Sequence, residues 1–161
     1  MLFRSLPALP ASDNDVKSFS KTGQRRDLNR EKFELDKLLL VLNNSNSYAS
    51  KNLKYLSHAM KIRSKLTSFH PSSSMKCLSN DRSDIISIQR GEGSNKLIAI
   101  HNFTENKLDY SINTHEFNTH EFNKNKENNL SFKDYLSGRI YKNLNFVLNP
   151  FEVLWIGLDS K

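Results

Sequence analysis

The chain has a single cysteine, Cys77, so no disulfide forms within it, and a reducing compartment is expected. Glycine (5) and proline (4) are scarce among 161 residues, which excludes collagen-like and linker-like polypeptides. The longest apolar run, Leu38-Leu39-Leu40-Val41-Leu42, falls far short of the roughly 20 residues that span a bilayer. No transmembrane segment and no membrane partner are expected. The N-terminal MLFRSLPALPAS is interrupted by Pro7 and Pro10 and lacks the charge distribution of a signal peptide; it reads as a truncated start, and the location as cytoplasmic. Also missing are H-E-x-x-H, every C-x-x-C pattern, the G-x-x-x-x-G-K-S/T loop and G-x-G-x-x-G, so neither a metal nor a cofactor is called for.

What is present is a fairly polar, foldable chain: 37% apolar and 25% charged residues in 18.6 kDa, enough for one average domain or two half-size units. The net charge of +7 is unevenly spread. Residues 1–80 carry 14 bases and 6 acids, whereas residues 81–161 carry 10 bases and 11 acids. A basic half joined to a neutral half is a first sign of two units. A nucleic-acid role would require aromatics interleaved with the basic patch, and no nucleic-acid partner is expected.

Residues 1–30 form a polar approach in which Asp13, Asn14, Asp15 and Asp27 alternate with Lys17, Lys21, Arg25, Arg26 and Arg30, a density of polar groups typical of a loop. Residues 31–43 (EKFELDKLLLVLN) show helical spacing with acids in the first turns, and Asn43-Asn44-Ser45-Asn46-Ser47 ends them. A second helix is expected over 48–66, where Leu53, Leu56, Met60 and Ile62 lie among Lys51, Lys54, Lys61, Arg63 and Lys65. The apolar stripe is expected to pack on a core, with the bases in water. His58 has no Cys or Asp at ligand spacing and reads as a surface or packing histidine. TSFHPSSS (67–74) is a break between units.

From residue 75 onward the apolar period shifts toward two. DIISIQR (84–90), KLIAIHNF (96–103), KLDYSIN (107–113), LNFVLNP (144–150) and FEVLWIGL (151–158) read as short strands. RGEGSN (90–95) is a hairpin connection, because its glycines adopt positive φ at little cost. Pro150 belongs at a strand start or edge, where a missing N–H matters least. An antiparallel sheet or sandwich follows from this series.

THEFNTHEFN (114–123) is a pentad duplication offering His115, Glu116, His120 and Glu121 as metal ligands. A spacing of five puts them on opposite faces of a strand and off one face of a helix. A local duplication in an Asn-rich loop accounts for the same letters, and no metal is expected there.

TGQRRDLNRE (22–31), with SDND (12–15), the helix ending in MKIRSKLTSFHP (60–71) and the terminal LSGRIY…FVLNPFEVLWIGL, resembles the C-terminal part of sucrose phosphorylases and their relatives in the α-amylase superfamily, glycoside hydrolase family 13. The resemblance covers residues 12–113 and 131–158, with THEFNTHEFNKNKENN as an insertion. It implies an α+β fragment. Residues 1–70 are then the terminal loop and helices of a (β/α)8 catalytic barrel, and residues 75–161 a small antiparallel β domain, the amylase-type C-terminal domain.

Loops at the C-terminal face of barrel strands form the substrate site, so the resemblance turns the charged connector into a candidate subsite loop. Arg26 and Asp27 match the family's Arg-Asp step before an Asn-Arg pair that ends in Arg30, and these three are the implied substrate-binding residues. A planar guanidinium suits phosphate oxygens and sugar hydroxyls alike. The competing assignment pairs Arg26 and Arg30 with Asp27, Glu31 or Asp15 to hold the loop. Arg25 stands where relatives often have Gly. The implied reaction is retaining transfer of an α-glucosyl group to phosphate, which needs a carboxylate nucleophile and a carboxylic acid flanking the anomeric carbon. In that family those acids belong to earlier barrel strands, and no motif for them occurs here, so no catalytic residue is assigned. The resemblance therefore implies a fragment inactive alone, with an α-glucoside and inorganic phosphate as the parent's substrates and a complementing N-terminal barrel chain as partner. The alternative is a non-catalytic β-rich module that binds carbohydrate or protein.

Overall fold

The computed structural model describes residues 20–24, 34–78, 82–113 and 131–159. They form a mixed α+β chain: two helices, then eight short strands in two antiparallel sheets. No closed barrel occurs among the described residues. The chain divides into two compact units between Ala59 and Met60.

Helix α1 (Leu35–Asn43) carries Asp36 in its first turn, where the N-terminal end of the macrodipole favours an acid. The Asn44 N–H closes it on the Leu40 carbonyl at 3.2 Å. Helix α2 (Tyr48–Arg63) begins where Ser47 Oγ accepts the Ser50 N–H at 3.0 Å, a serine N-cap. The same hydroxyl donates to the Val41 carbonyl at 2.7 Å, tying the two helices through their turn. Helix α2 stops three residues before the expected end: Lys65 N–H bonds to the Ile62 carbonyl and Leu66 N–H to that of Arg63, tightening the last turn.

The apolar stripe expected to pack on a core does not do so. Leu53 and Leu56 are 38% exposed and Met60 67%, while Ala49 and Ser50 are the buried residues of α2. In α1 only Leu38 is buried, and Leu35, Leu39, Leu40 and Val41 are exposed. Both helices thus carry apolar surface that the described residues leave in water.

Strands β1 (Met75–Cys77), β2 (Ile85–Arg90), β3 (Leu97–Asn102), β8 (Val153–Leu158), β5 (Phe132–Asp134) and β6 (Ile140–Tyr141) form the larger sheet in that order. Strands β4 (Leu108–Ser111) and β7 (Asn145–Leu148) form the smaller one. The RGEGSN hairpin is as expected: Arg90 pairs with Leu97, and Gly91 and Gly93 have φ of 70° and 59°. Gly91 has a second constraint, since a Cβ there would lie 2.7 Å from the Asn95 carbonyl oxygen. Pro150 sits in the turn that enters β8, closed by the Glu152 N–H on the Asn149 carbonyl. That turn puts Phe151 at φ 54°, a left-handed value costly for a residue with a Cβ.

The core lies between the sheets. Ile85, Ile98, Ile100, Phe132, Leu154 and Ile156 of the larger sheet meet Tyr110, Phe146 and Leu148 of the smaller. Each fully buried aliphatic side chain contributes about 1.5–3 kcal/mol; Ile98, Ile100, Leu148 and Ile156 have no exposed surface. The Ser87 and Tyr110 hydroxyls, 2.6 Å apart, bond the two sheets through this core. The described residues of the unit from Met60 onward thus form an antiparallel β-sandwich with its own interior.

Candidate functional site

Arg26, Asp27 and Arg30 lie outside the described residues, as do the THEFNTHEFN duplication and residues 31–33. His58 is exposed on α2. Among the described residues no group of three or more His, Cys, Asp and Glu is placed to hold a metal.

Three of the described acids, Asp84, Asp134 and Glu152, serve the fold. Asp134, 1% exposed, is the most deeply buried. Its Oδ1 accepts the Trp155 N–H at 2.9 Å and the Leu136 N–H at 3.1 Å; its Oδ2 accepts the Ser137 N–H at 3.0 Å and the Ser137 hydroxyl. One carboxylate thereby shapes the turn after β5 and pins it to β8. Glu152 accepts from Asn149 through Oε2 and meets Arg139 through Oε1, which braces the strained turn at Phe151. Asp84 receives a two-pronged bond from Arg82, at 2.8 and 2.7 Å. That bond holds the Asp84 carboxyl below its ordinary range and raises Arg82. Buried Asn102 fulfils the same role with an amide, donating to the Asn106 and Asn149 carbonyls and accepting from the Thr104 N–H and hydroxyl. Every buried side-chain polar atom among the described residues has a partner.

His101 on β3 stacks on Phe103, ring centroids 5.9 Å apart. Desolvation lowers its pKa from the usual histidine value, because burial disfavours the charged ring.

The candidate site is instead the segment after α2. The 3-10 turn Thr67–Phe69 is bolted to the sandwich. Ser68 Oγ donates to the Asn95 carbonyl; Arg90 donates to the Ser68 and His70 carbonyls at 3.2 and 2.9 Å; the Phe69 ring rests on Trp155 at 4.6 Å. An open pocket of about 620 Å³ adjoins this turn, bordered by Met60, Arg63, Lys65, Leu66, Phe69 and His70. From sequence alone Thr67–Ser74 reads as a break between units. The signal available was Phe69-His70-Pro71, an aromatic and an imidazole fixed ahead of a proline.

Fold and site together define a helical pair followed by an antiparallel β-sandwich, without a described set of catalytic acids. No family model matches the chain. Over 98 residues, 61% of its length, it is 33% identical to the glucosylglycerate phosphorylase of Allomeiothermus silvanus. The aligned stretch is 17% of that enzyme. The chain therefore has distant, partial homology to a phosphorylase and spans a small part of its length.

Proposed function

We propose that the chain corresponds to the C-terminal part of a sucrose-phosphorylase-like enzyme of the α-amylase superfamily, and that these 161 residues do not turn over substrate by themselves. The observation that carries this reading is the 33% identity with the phosphorylase, confined to 17% of that enzyme's length. In this reading residues 1–70 belong to a (β/α)8 barrel, residues 75–161 form the accessory β domain, and Arg26, Asp27 and Arg30 bind sugar and phosphate. The parent reaction is reversible transfer of an α-glucosyl group to inorganic phosphate through a covalent glucosyl-enzyme.

The apolar faces of the helices support it. Leu40 and Tyr48 are 73% and 71% exposed, large apolar groups in water of the kind that mark an interface. A complementing barrel chain is the proposed partner. Among the described residues no helix is long and apolar enough to cross a membrane, and exposed, free Cys77 suits a reducing cytoplasm.

The test is co-expression with the Allomeiothermus silvanus phosphorylase lacking its aligned stretch. The expected result is a 1:1 complex on size-exclusion chromatography that forms glucose 1-phosphate from glucosylglycerate and phosphate. Two chains that elute separately and form no product would refute complementation. A second reading, a non-catalytic binding module, draws on the sandwich having an interior of its own. It predicts a well-behaved monomer that binds glycan or protein without any barrel chain.

A further inference from the structure

The pocket beside the 3-10 turn has the size of a small-molecule site, within the range of roughly 300–1,000 Å³. Met60, Leu66, Phe69 and Pro71 give it an apolar lining. Arg63, Lys65 and His70 also border it, and among the described residues no acid does. The Arg63 guanidinium carbon stands 6.0 Å from the Phe69 ring centroid, over an aromatic that is itself seated on Trp155. Among the described residues the ion pairs are Lys37–Glu34, Arg82–Asp84 and Arg139–Glu152, and Arg63 and Lys65 have no acidic partner there.

His70 adds a donor. Its Nδ1 accepts the Ser72 N–H at 3.3 Å and lies 2.6 Å from the Ser72 hydroxyl. Accepting a backbone N–H places the proton of the neutral ring on Nε2. The wall is also ordered before any ligand arrives. Phe69 N–H bonds to the Leu66 carbonyl, His70 N–H to that of Thr67, and Ser73 to both His70 and Thr67 through its N–H and hydroxyl. A base at a helix C-terminus gains from the macrodipole, which accounts for Arg63 alone. It does not account for two bases and a histidine around an acid-free, apolar hollow.

The geometry points to this pocket as a binding site for a small organic anion: a phosphate or carboxylate group joined to an apolar or aromatic body. The oxyanion meets Arg63, Lys65 and His70, and the body covers the apolar lining. Inorganic phosphate alone leaves that lining wet, and a neutral aromatic leaves the bases unpaired, so each half binds more weakly than the whole. This inference is independent of the phosphorylase reading.

Calorimetric titration of the full chain with phenyl phosphate, benzoate, inorganic phosphate and phenol tests it. Phenyl phosphate is expected to bind at least tenfold more tightly than inorganic phosphate or phenol; benzoate shows whether a carboxylate serves as well. The double variant Arg63→Gln, Lys65→Gln weakens phenyl phosphate at least tenfold. Met60→Glu, at an exposed position, does the same by placing a negative charge beside the site. Lys133→Gln, on β5, changes nothing. Equal binding of phenyl phosphate and inorganic phosphate, a smaller loss in both pocket variants, or an equal loss in Lys133→Gln overturns the proposal, the last by showing only general attraction to a basic chain.

Discussion

Replacing Asp134 with alanine removes the acceptor of four hydrogen bonds at once. The Ser137 donors lie at an exposed residue and rehydrate cheaply. The Trp155 and Leu136 N–H groups are partly shielded from water, and each buried donor left unpaired costs about 1–3 kcal/mol. With the small cavity added, the loss is about 3–5 kcal/mol. Asp134→Asn keeps the volume and one acceptor oxygen. Its amide turned toward the Ser137 hydroxyl leaves only the Ser137 N–H to water, a loss of about 1–2 kcal/mol. Urea denaturation followed through Trp155, the chain's one tryptophan, reads both, because the Asp134 carboxylate bonds that residue's backbone. Against a total stability of about 5–15 kcal/mol, the alanine variant is expected to unfold at markedly lower urea and the asparagine variant between it and the parent. An alanine variant within about 1 kcal/mol of the parent would show that Asp134 does not organise this turn.

Three further outcomes follow from the backbone and from His101. Gly91→Ala meets both a positive φ and the Asn95 carbonyl, and is expected to lower stability by about 2 kcal/mol in thermal denaturation; an unchanged midpoint refutes that constraint. Phe151→Gly relieves a left-handed residue whose side chain is 61% exposed. It is expected to raise stability by about 0.5–1 kcal/mol, and a loss would mean that the ring packs productively. His101 has a folded pKa below its unfolded value, so the unfolded chain binds protons first as pH falls from about 7. Stability is therefore full above the unfolded pKa and declines toward the folded one. His101→Gln should flatten that part of the stability–pH profile, and an unaltered slope would assign it to another group.

The parts of the fold legible in sequence are those with local signals. Alternating apolar residues marked β2, β7 and much of β8, and the glycines of RGEGSN marked the hairpin that Arg90 and Leu97 close. Met75-Lys76-Cys77 escaped notice because all three residues are exposed and carry no alternation. Strand β6 has two residues, too few for a period. The insertion of β8 between β3 and β5 joins segments far apart in the chain, a pairing no local pattern encodes. Helical spacing located α2 but not its surroundings: periodicity identifies an apolar stripe, whereas burial depends on what faces it. Asp134 followed by Ser137 and Gly138 held the signature of a side-chain-capped turn, legible only once Trp155 N–H is known to point at the same carboxylate. The pocket was hidden for a similar reason, since Arg63 and Phe69 meet through a turn that the sequence presents merely as a break.

The proposed reading makes the chain one part of a glucoside phosphorylase, inactive alone. The most direct measurement is formation of glucose 1-phosphate from glucosylglycerate, and from sucrose, by the purified 161-residue chain in phosphate buffer. The account predicts no product above the protein-free blank. Sustained turnover that follows the chain through purification and is lost on changing Arg26 would contradict it.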